Sequence, residues 1–268
     1  MAQSLKQRDE KMITSESPIA VIDSGVGGIS VLKRLWQLMP NENYIYFGDS
    51  KNAPYGVKPT DEIRSLTFKM AEELMNRGAK ALVIACNTAT AAAAADLRAK
   101  YPSFPIIGLE PALKPAALSG EHPTVIVMAT ELTLREKKFA GLVSRFENSA
   151  EIIGLPAPGI VLLVESGKSD SEEMDEYLKK LFFPFKDEKN LRIVLGCTHF
   201  PFAKKSILRV LGEDVELFDG AFGAAKHTKD LLEEKNLLRD ENAKGKITFE
   251  NSDESHIALS KRLFEELE

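Results

Sequence analysis

The sequence predicts an α/β fold of two pseudo-symmetric half-domains, each a parallel sheet flanked by helices, with an active site in the cleft between them. Three observations carry this. From residue 18 onward, short β-branched runs alternate with longer helical stretches. Several of the short runs are apolar throughout, and a strand–cysteine–helix unit occurs twice.

The elements can be taken in order. PIAVI (18–22) reads as the first strand, followed by helical ISVLKRLWQLM (29–39) and strand NYIYF (43–47). Helix TDEIRSLTFKMAEELMNRG (60–78) leads to strand ALVIA (81–85), then helix TAAAAADLRAKY (90–101) and strand FPIIGL (104–109). The second series begins with strand PTVIVM (123–128), helix LTLREKKFAGLVSRF (132–146) and strand AEIIGL (150–155). Helix SEEMDEYLKKLFF (171–183) and strands RIVLG (192–196) and VELF (215–218) complete it. Strands that are apolar throughout are buried on both faces, as in parallel sheets covered by helices. The alternation itself defines the α/β class. Ligands in such sheets sit beyond the carboxyl ends of the strands, so chemistry is sought in the residues just after each strand.

A faint internal repeat organises these elements. ALVIACNT, with Cys86, matches RIVLGCTH, with Cys197: an apolar strand, a small residue, a cysteine, then polar residues that open a helix. Upstream, IAVIDSG around Asp23 matches VIVMATE around Thr130, at nearly the same spacing from its cysteine. Two elements repeated in one order suggest two related halves. The expected division is residues 18–113 plus 221–268, the latter as C-terminal helices, against residues 114–220. Residues 1–17 form a polar arm before the first strand.

Composition narrows the function classes. The net charge is −5 and no basic tract or aromatic–basic stripe occurs, so no nucleic-acid partner is expected. No apolar run approaches the ~18 residues of a membrane span, and the polar N-terminus lacks the core of a secretory signal, so a cytoplasmic protein without membrane contact is expected. Two cysteines make no disulfide framework, and a reducing compartment keeps them as thiols.

A buried cysteine is ordinarily a small apolar residue. Both cysteines here instead end a strand and open a helix: Asn87 and Thr88 mark one helix start, and Pro201 suits the first turn of the other. A helix N-terminus favours a thiolate through its dipole and free N–H groups. A redox dithiol would have its partners close in sequence, whereas these are far apart. A zinc site would join Cys86, Cys197 and His199 to a further ligand, but paired-ligand spacing is missing. A symmetric acid–base pair is the third reading: one thiolate removes a proton while the opposite thiol delivers one. Inverting a stereocentre needs groups on opposite faces of the carbon, and pseudo-symmetric halves supply them. From the residues alone, Asp23, Asn87 and Thr198 serve equally well as helix or turn caps. His199 fits a core histidine and Glu165 a solvated helix residue. DSGVGG lacks the spacing of a dinucleotide loop, since Ser30 stands at the third glycine's place. His122, His227 and His256 sit in polar contexts and read as surface residues.

Across residues 18 to 222 the chain resembles the glutamate racemases of the aspartate/glutamate racemase family. The motifs are DSGVGG (23–28), GDSKNAPYG (48–56), ACNTAT (85–90), ATELT (129–133), LLVESG (162–167) and LGCTHFP (195–201). The resemblance implies a cofactor-independent interconversion of L- and D-glutamate that supplies D-glutamate for peptidoglycan, with neither metal nor pyridoxal phosphate. Its nearer alternatives are an aspartate or other amino-acid racemase and a non-catalytic binding homologue. Cys86 would act on the D-enantiomer with help from Asp23, and Cys197 on the L-enantiomer with help from His199 and Glu165. Ser24, Pro54, Tyr55, Gly56, Asn87, Thr88, Thr130, Thr133 and Thr198 would bind the substrate. A homodimer is carried as an open expectation. Ala157, Leu162, Gly220 and Ala129 depart from the family pattern, all away from the expected acid/bases.

Overall fold

The computed structural model describes residues 13–135 and 137–267. Strands and helices alternate through β1 (Ile19–Asp23), α1 (Ile29–Leu38), β2 (Asn43–Gly48), α2 (Thr60–Asn76), β3 (Ala81–Ile84), α3 (Asn87–Lys100) and β4 (Ile106–Gly108). After the short α4 (Leu113–Ala117) come β5 (Thr124–Ala129), α5 (Glu131–Arg135), α6 (Lys137–Val143), β6 (Glu151–Pro156) and α7 (Pro158–Glu165). Then follow α8 (Glu172–Phe182), β7 (Leu191–Leu195), α9 (Lys204–Leu211) and β8 (Glu216–Asp219). The tail holds α10 (Ala221–Glu234), β9 (Lys246–Asn251) and α11 (His256–Glu266).

The strands form two parallel sheets, ordered β4-β3-β1-β2-β9 and β6-β5-β7-β8. Read from opposite ends, 4-3-1-2 and 8-7-5-6 are one topology, so the repeat seen around the cysteines is a repeat of whole sheets. In each sheet the chain goes to one side of the first strand and then to the other. That reversal opens a crevice at the carboxyl ends of β1 and β3 and of β5 and β7, where open α/β sheets bind ligands. The central strands β1, β3 and β5 are buried at every position, as their unbroken apolar runs require, while β6 and β8 are partly exposed.

The tail departs from the sequence expectation of helices alone. β9 pairs in parallel with β2, from Asn43 opposite Lys246 to Gly48 opposite Asn251, and so extends the first sheet. Its core positions are only half-buried, the mark of an edge strand. The expected helix over 132–146 is met by α5 and α6 on either side of residue 136, which lies outside the described residues.

A buried ion pair fastens the amino ends of the first sheet. Lys80 and Glu42, both inaccessible to solvent, are in direct contact. The Lys80 ammonium also donates to the carbonyls of Ser15 (2.6 Å) and Leu237 (2.8 Å). One cation thereby ties the chain before β1 to the segment after α10. Residues 1–12 of the expected polar arm lie outside the described residues. Among the described residues, no helix is long and apolar enough to cross a membrane.

Candidate active site

Both cysteines line one cavity of about 550 Å³ at the facing carboxyl ends of the two sheets. Cys86 follows β3 and Cys197 follows β7, equivalent places in the two halves. Their local structures differ. Cys86 is the N-cap of α3, and its Sγ accepts the Ala89 N–H at 3.5 Å. Cys197 precedes a 3₁₀ turn, Phe200–Ala203, and only then does α9 begin. Pro201 opens that turn rather than an α-helix, so the helix-terminus environment expected for both thiols belongs to Cys86 alone.

The electrostatics correct the expectation further. Burial, the nearby Asp23 carboxylate and the other cysteine push the Cys86 thiol up to about 12, against the smaller help of Ser24 and the Ala89 N–H. A helix N-terminus therefore does not make this cysteine a resting thiolate; desolvation and a like charge win. Asp23 is itself pushed up by burial, although His199 and the N–H groups of Gly25 and Gly28 work against this. Its Oδ1 accepts the Gly25 N–H at 3.0 Å, and its Oδ2 accepts the Thr198 hydroxyl at 3.1 Å. Asp23 is thus both a turn-forming residue and a charge beside Cys86, one layer behind the cavity wall.

Cys197 has an imidazole partner. His199 Nδ1 lies 3.7 Å from Cys197 Sγ, and His199 Nε2 lies 2.7 Å from Glu165 Oε1. Burial alone would favour neutral His199, but its bonds to Cys197 and Glu165 outweigh this and hold the ring well above the usual histidine range. Burial likewise pushes Glu165 up, and the His199 hydrogen bond, its charge and the Val26 N–H (3.0 Å) reverse the sign. A protonated ring between a carboxylate and a sulfur favours charge on that sulfur. Glu165, which read equally well as a solvated helix residue, is largely buried.

The glycines of DSGVGG acquire a physical reason. A Cβ on Gly25 would overlap the Glu165 carboxyl, and one on Gly27 would meet the His199 ring and stand 2.5 Å from Thr198 Oγ1. The loop after β1 thus makes room for side chains from the other half. Ser30, at the missing third glycine, joins the halves: its hydroxyl lies 2.9 Å from the Gly27 carbonyl and 2.8 Å from the Thr198 carbonyl.

The expected catalytic and binding residues are brought together with two exceptions. Ser24, Pro54, Tyr55, Gly56, Asn87, Thr88, Thr130 and Thr198 line the same cavity as the cysteines, His199 and Glu165. Asp23 stands behind the wall. Thr133 lies behind Thr130 and lines a smaller neighbouring cavity. The hydroxyls of Thr88, Thr130 and Thr133 form a triangle with sides of 3.2, 3.5 and 3.0 Å. Asn87 is more telling: both its amide N and O are buried without a hydrogen-bond partner among the described residues. A donor–acceptor pair held unsatisfied in a cavity wall is costly unless a polar ligand completes it. Tyr55, by contrast, spends its hydroxyl on Asp49 Oδ2 (2.7 Å), and the Asn52 amide donates to both Asp49 oxygens at 3.0 Å. Asp49 was not singled out in the sequence, although it stands inside the GDSKNAPYG motif. His256, read as a surface residue, lies instead 3.8 Å from Glu165 Oε2 and is only 26% exposed. Among the described residues, no group of three or more His, Cys, Asp or Glu side chains is arranged to hold a metal ion.

Comparison with known proteins gives a consistent picture. The profile of the Asp/Glu/hydantoin racemase family matches residues 19–228. The chain is 49% identical over 250 residues to a glutamate racemase of Clostridium botulinum, covering 92% of this chain and 97% of that protein. Among solved structures it is similar to glutamate racemase from Francisella tularensis in complex with D-glutamate, with a TM-score of 0.79 and 30% identity, over 94% of each chain. It is also similar to the Escherichia coli enzyme in complex with L-glutamate and the activator UDP-MurNAc-Ala. There the TM-score is 0.80 and the identity 31%, over 92% of this chain and 95% of that one.

Proposed function

The chain belongs to the Asp/Glu/hydantoin racemase family, and from that premise we infer that it is an isomerase interconverting L- and D-glutamate. The observation that carries the inference is the shared cavity: two cysteines from equivalent strand ends of two repeated sheets line one pocket. The reading takes residues 18–113 with 221–268 as one half and 114–220 as the other. The D-glutamate formed would serve peptidoglycan, the role the resemblance implies.

The chemistry follows from the unequal surroundings of the thiols. Cys86 rests as a thiol with a proton to give, and the protonated His199 ring lies beside the sulfur of Cys197. With L-glutamate bound, the Cys197 thiolate takes the α-proton: the Cα–H bond breaks and an S–H bond forms. Cys86 delivers its proton to the opposite face, giving D-glutamate and leaving a Cys86 thiolate. The reverse reaction starts from that second state. Asp23 opposes the Cys86 thiolate by its charge, which keeps the sulfur a strong base when its turn comes. The carbanionic intermediate needs fixed dipoles in a site closed to water, because those dipoles need no reorganisation during reaction. The Asn87 amide and the Thr88 and Thr130 hydroxyls offer donors for carboxylates, and the amide oxygen offers an acceptor for the ammonium.

Circular dichroism of L- and D-glutamate solutions tests the inference. Optical activity should decay to zero from either side, and L-aspartate under the same conditions should keep its signal. Preferential loss with aspartate would make the chain an aspartate racemase. No loss with either would make it a binding homologue.

A further inference from the structure

The C-terminal helix reaches the site through one side chain. By its packing, α11 belongs to the first half: β9 pairs with β2, and α11 lies against α1 and β9. Its first residue, His256, points across to the second half. His256 Nε2 is 3.8 Å from Glu165 Oε2. On the other side of the ring, Nδ1 is 3.5 Å from Asp253 Oδ2 and 3.2 Å from Ser255 Oγ. The backbone brings the two elements close just beyond Glu165. Gly167 has φ +73°, and a Cβ there would stand 2.5 Å from the Arg262 guanidinium of α11.

A single line of contacts therefore runs from Cys197 through His199, Glu165 and His256 to Asp253. Glu165 Oε1 is already held twice, by His199 Nε2 and by the Val26 N–H. Its terminal torsion is nevertheless of the broad, two-fold kind, so one anchored oxygen leaves the carboxylate plane loosely set. His256, 3.8 Å from Oε2 and so in contact without a hydrogen bond, narrows that freedom. The plane of Glu165 then fixes the His199 ring, and the ring fixes the direction in which Nδ1 faces the sulfur. Outer partners of this kind commonly set the orientation of a reactive imidazole.

We propose that His256 is a positioning residue for the Cys197 half of the reaction, orienting the Glu165 carboxylate and through it His199. This rests on the reading of Cys197 as an acid/base given above. The charged and titratable groups that face His256 are Glu165 from α7 and Asp253 from its own turn, with Lys51 acting on Asp253 and His199 beyond Glu165.

The test uses the full-length chain and its His256→Ala and His256→Gln variants. Alkylation of Cys197 by iodoacetamide is followed across pH by peptide mass spectrometry, with Cys86 in the same sample as the control. His256→Ala should slow Cys197 about two- to fivefold near neutral pH, the range of a weak, partly exposed polar contact, and change the pH dependence of its alkylation. His256→Gln, which keeps a donor of similar reach, should recover most of the loss, and the Cys86 profile should stay in place. In racemisation, kcat should fall by a similar factor with KM nearly unchanged. An unaltered Cys197 profile in His256→Ala overturns the proposal. Equal effects on Cys86 and Cys197, or a Gln variant no better than Ala, overturn it too, because they indicate general loosening. The alkylation readout needs no turnover. A wild-type chain that fails to racemise glutamate would sink the proposed function and still leave the His256 effect to be scored.

Discussion

Asp23→Asn removes one negative charge beside Cys86 while leaving the local hydrogen bonds satisfiable. The amide oxygen still accepts the Gly25 N–H, and the Thr198 hydroxyl, which now donates to Asp23 Oδ2, can rotate to accept from the new NH₂ group. The Cys86 thiol stands at about 12, with burial as the largest cause and Asp23 the next. Removing a like charge beside a buried thiol lowers its pKa by about one unit. At about pH 8, well below either value, the thiolate population then rises about tenfold. Intrinsic nucleophilicity falls with pKa along a slope of about 0.4–0.5, which returns about a factor of three. The net expectation is exchange with a small disulfide reagent about threefold faster at Cys86. Cys197→Ser serves as the background, so that one thiol reports and both proteins share the same access to it. With Cys197 restored, racemisation by Asp23→Asn should be slower, since a less basic Cys86 thiolate abstracts the proton of D-glutamate less readily. A faster thiol in a slower enzyme separates electrostatic tuning from misfolding, which would expose both. Unchanged or slower exchange in the Asp23→Asn protein would refute the assignment of Asp23 as the charge that holds Cys86 protonated.

Two further substitutions probe the Cys197 side. Glu165→Gln should destabilise the protein near neutral pH by about 1.5–3 kcal/mol, the range of a charge-assisted hydrogen bond. Glu165 is depressed in the folded state, so its contribution is present above its unfolded value near 4.5 and is lost as pH falls through the folded one. Urea unfolding across pH should show the wild-type advantage closing in acid; a gap independent of pH would contradict the carboxylate–imidazolium pair. Gly27→Ala should cut racemisation about a hundredfold while circular dichroism spectra remain native, because the added methyl must displace the His199 ring and Thr198. Near wild-type turnover would mean that the close approach of the two halves at this loop is not needed.

Much of this architecture was legible in the sequence, and what was not has physical causes. The all-apolar runs of β1, β3 and β5 announced strands buried on both faces, and the paired strand–cysteine units announced the repeat of two sheets. β9 escaped notice because KITFEN is an edge strand: half-buried, interrupted by charge, and without an unbroken apolar run. The different helpers of the two cysteines, Asp23 for one and His199 for the other, were legible, but the difference in the turns that follow them was not, because Pro201 suits a helical first turn and a 3₁₀ turn equally well. Motif position placed Cys86 at a helix N-terminus correctly, yet the thiol's acidity is decided by burial and by Asp23, which are properties of the folded interior. DSGVGG was readable only as a glycine-rich segment without dinucleotide-loop spacing, because its glycines answer to Glu165 and His199, side chains far away in sequence. His256 carried no local signal at all. Its importance comes from β9 joining the first sheet, which swings the start of α11 against the end of α7.

The most direct test of two thiols on opposite faces of one carbon is the early fate of solvent deuterium. L-glutamate in D₂O is sampled during the first few per cent of reaction, and the α-hydrogen content of recovered L-glutamate and newly formed D-glutamate is measured separately. The experiment is then repeated from D-glutamate. A proton taken by one thiol and a deuteron delivered by the other require deuterium in the product and ordinary hydrogen in the recovered substrate, in both directions. Deuterium entering the recovered substrate as fast as the product would mean that a single group serves both faces, and it would contradict the assignment of Cys86 and Cys197 as an opposed acid–base pair.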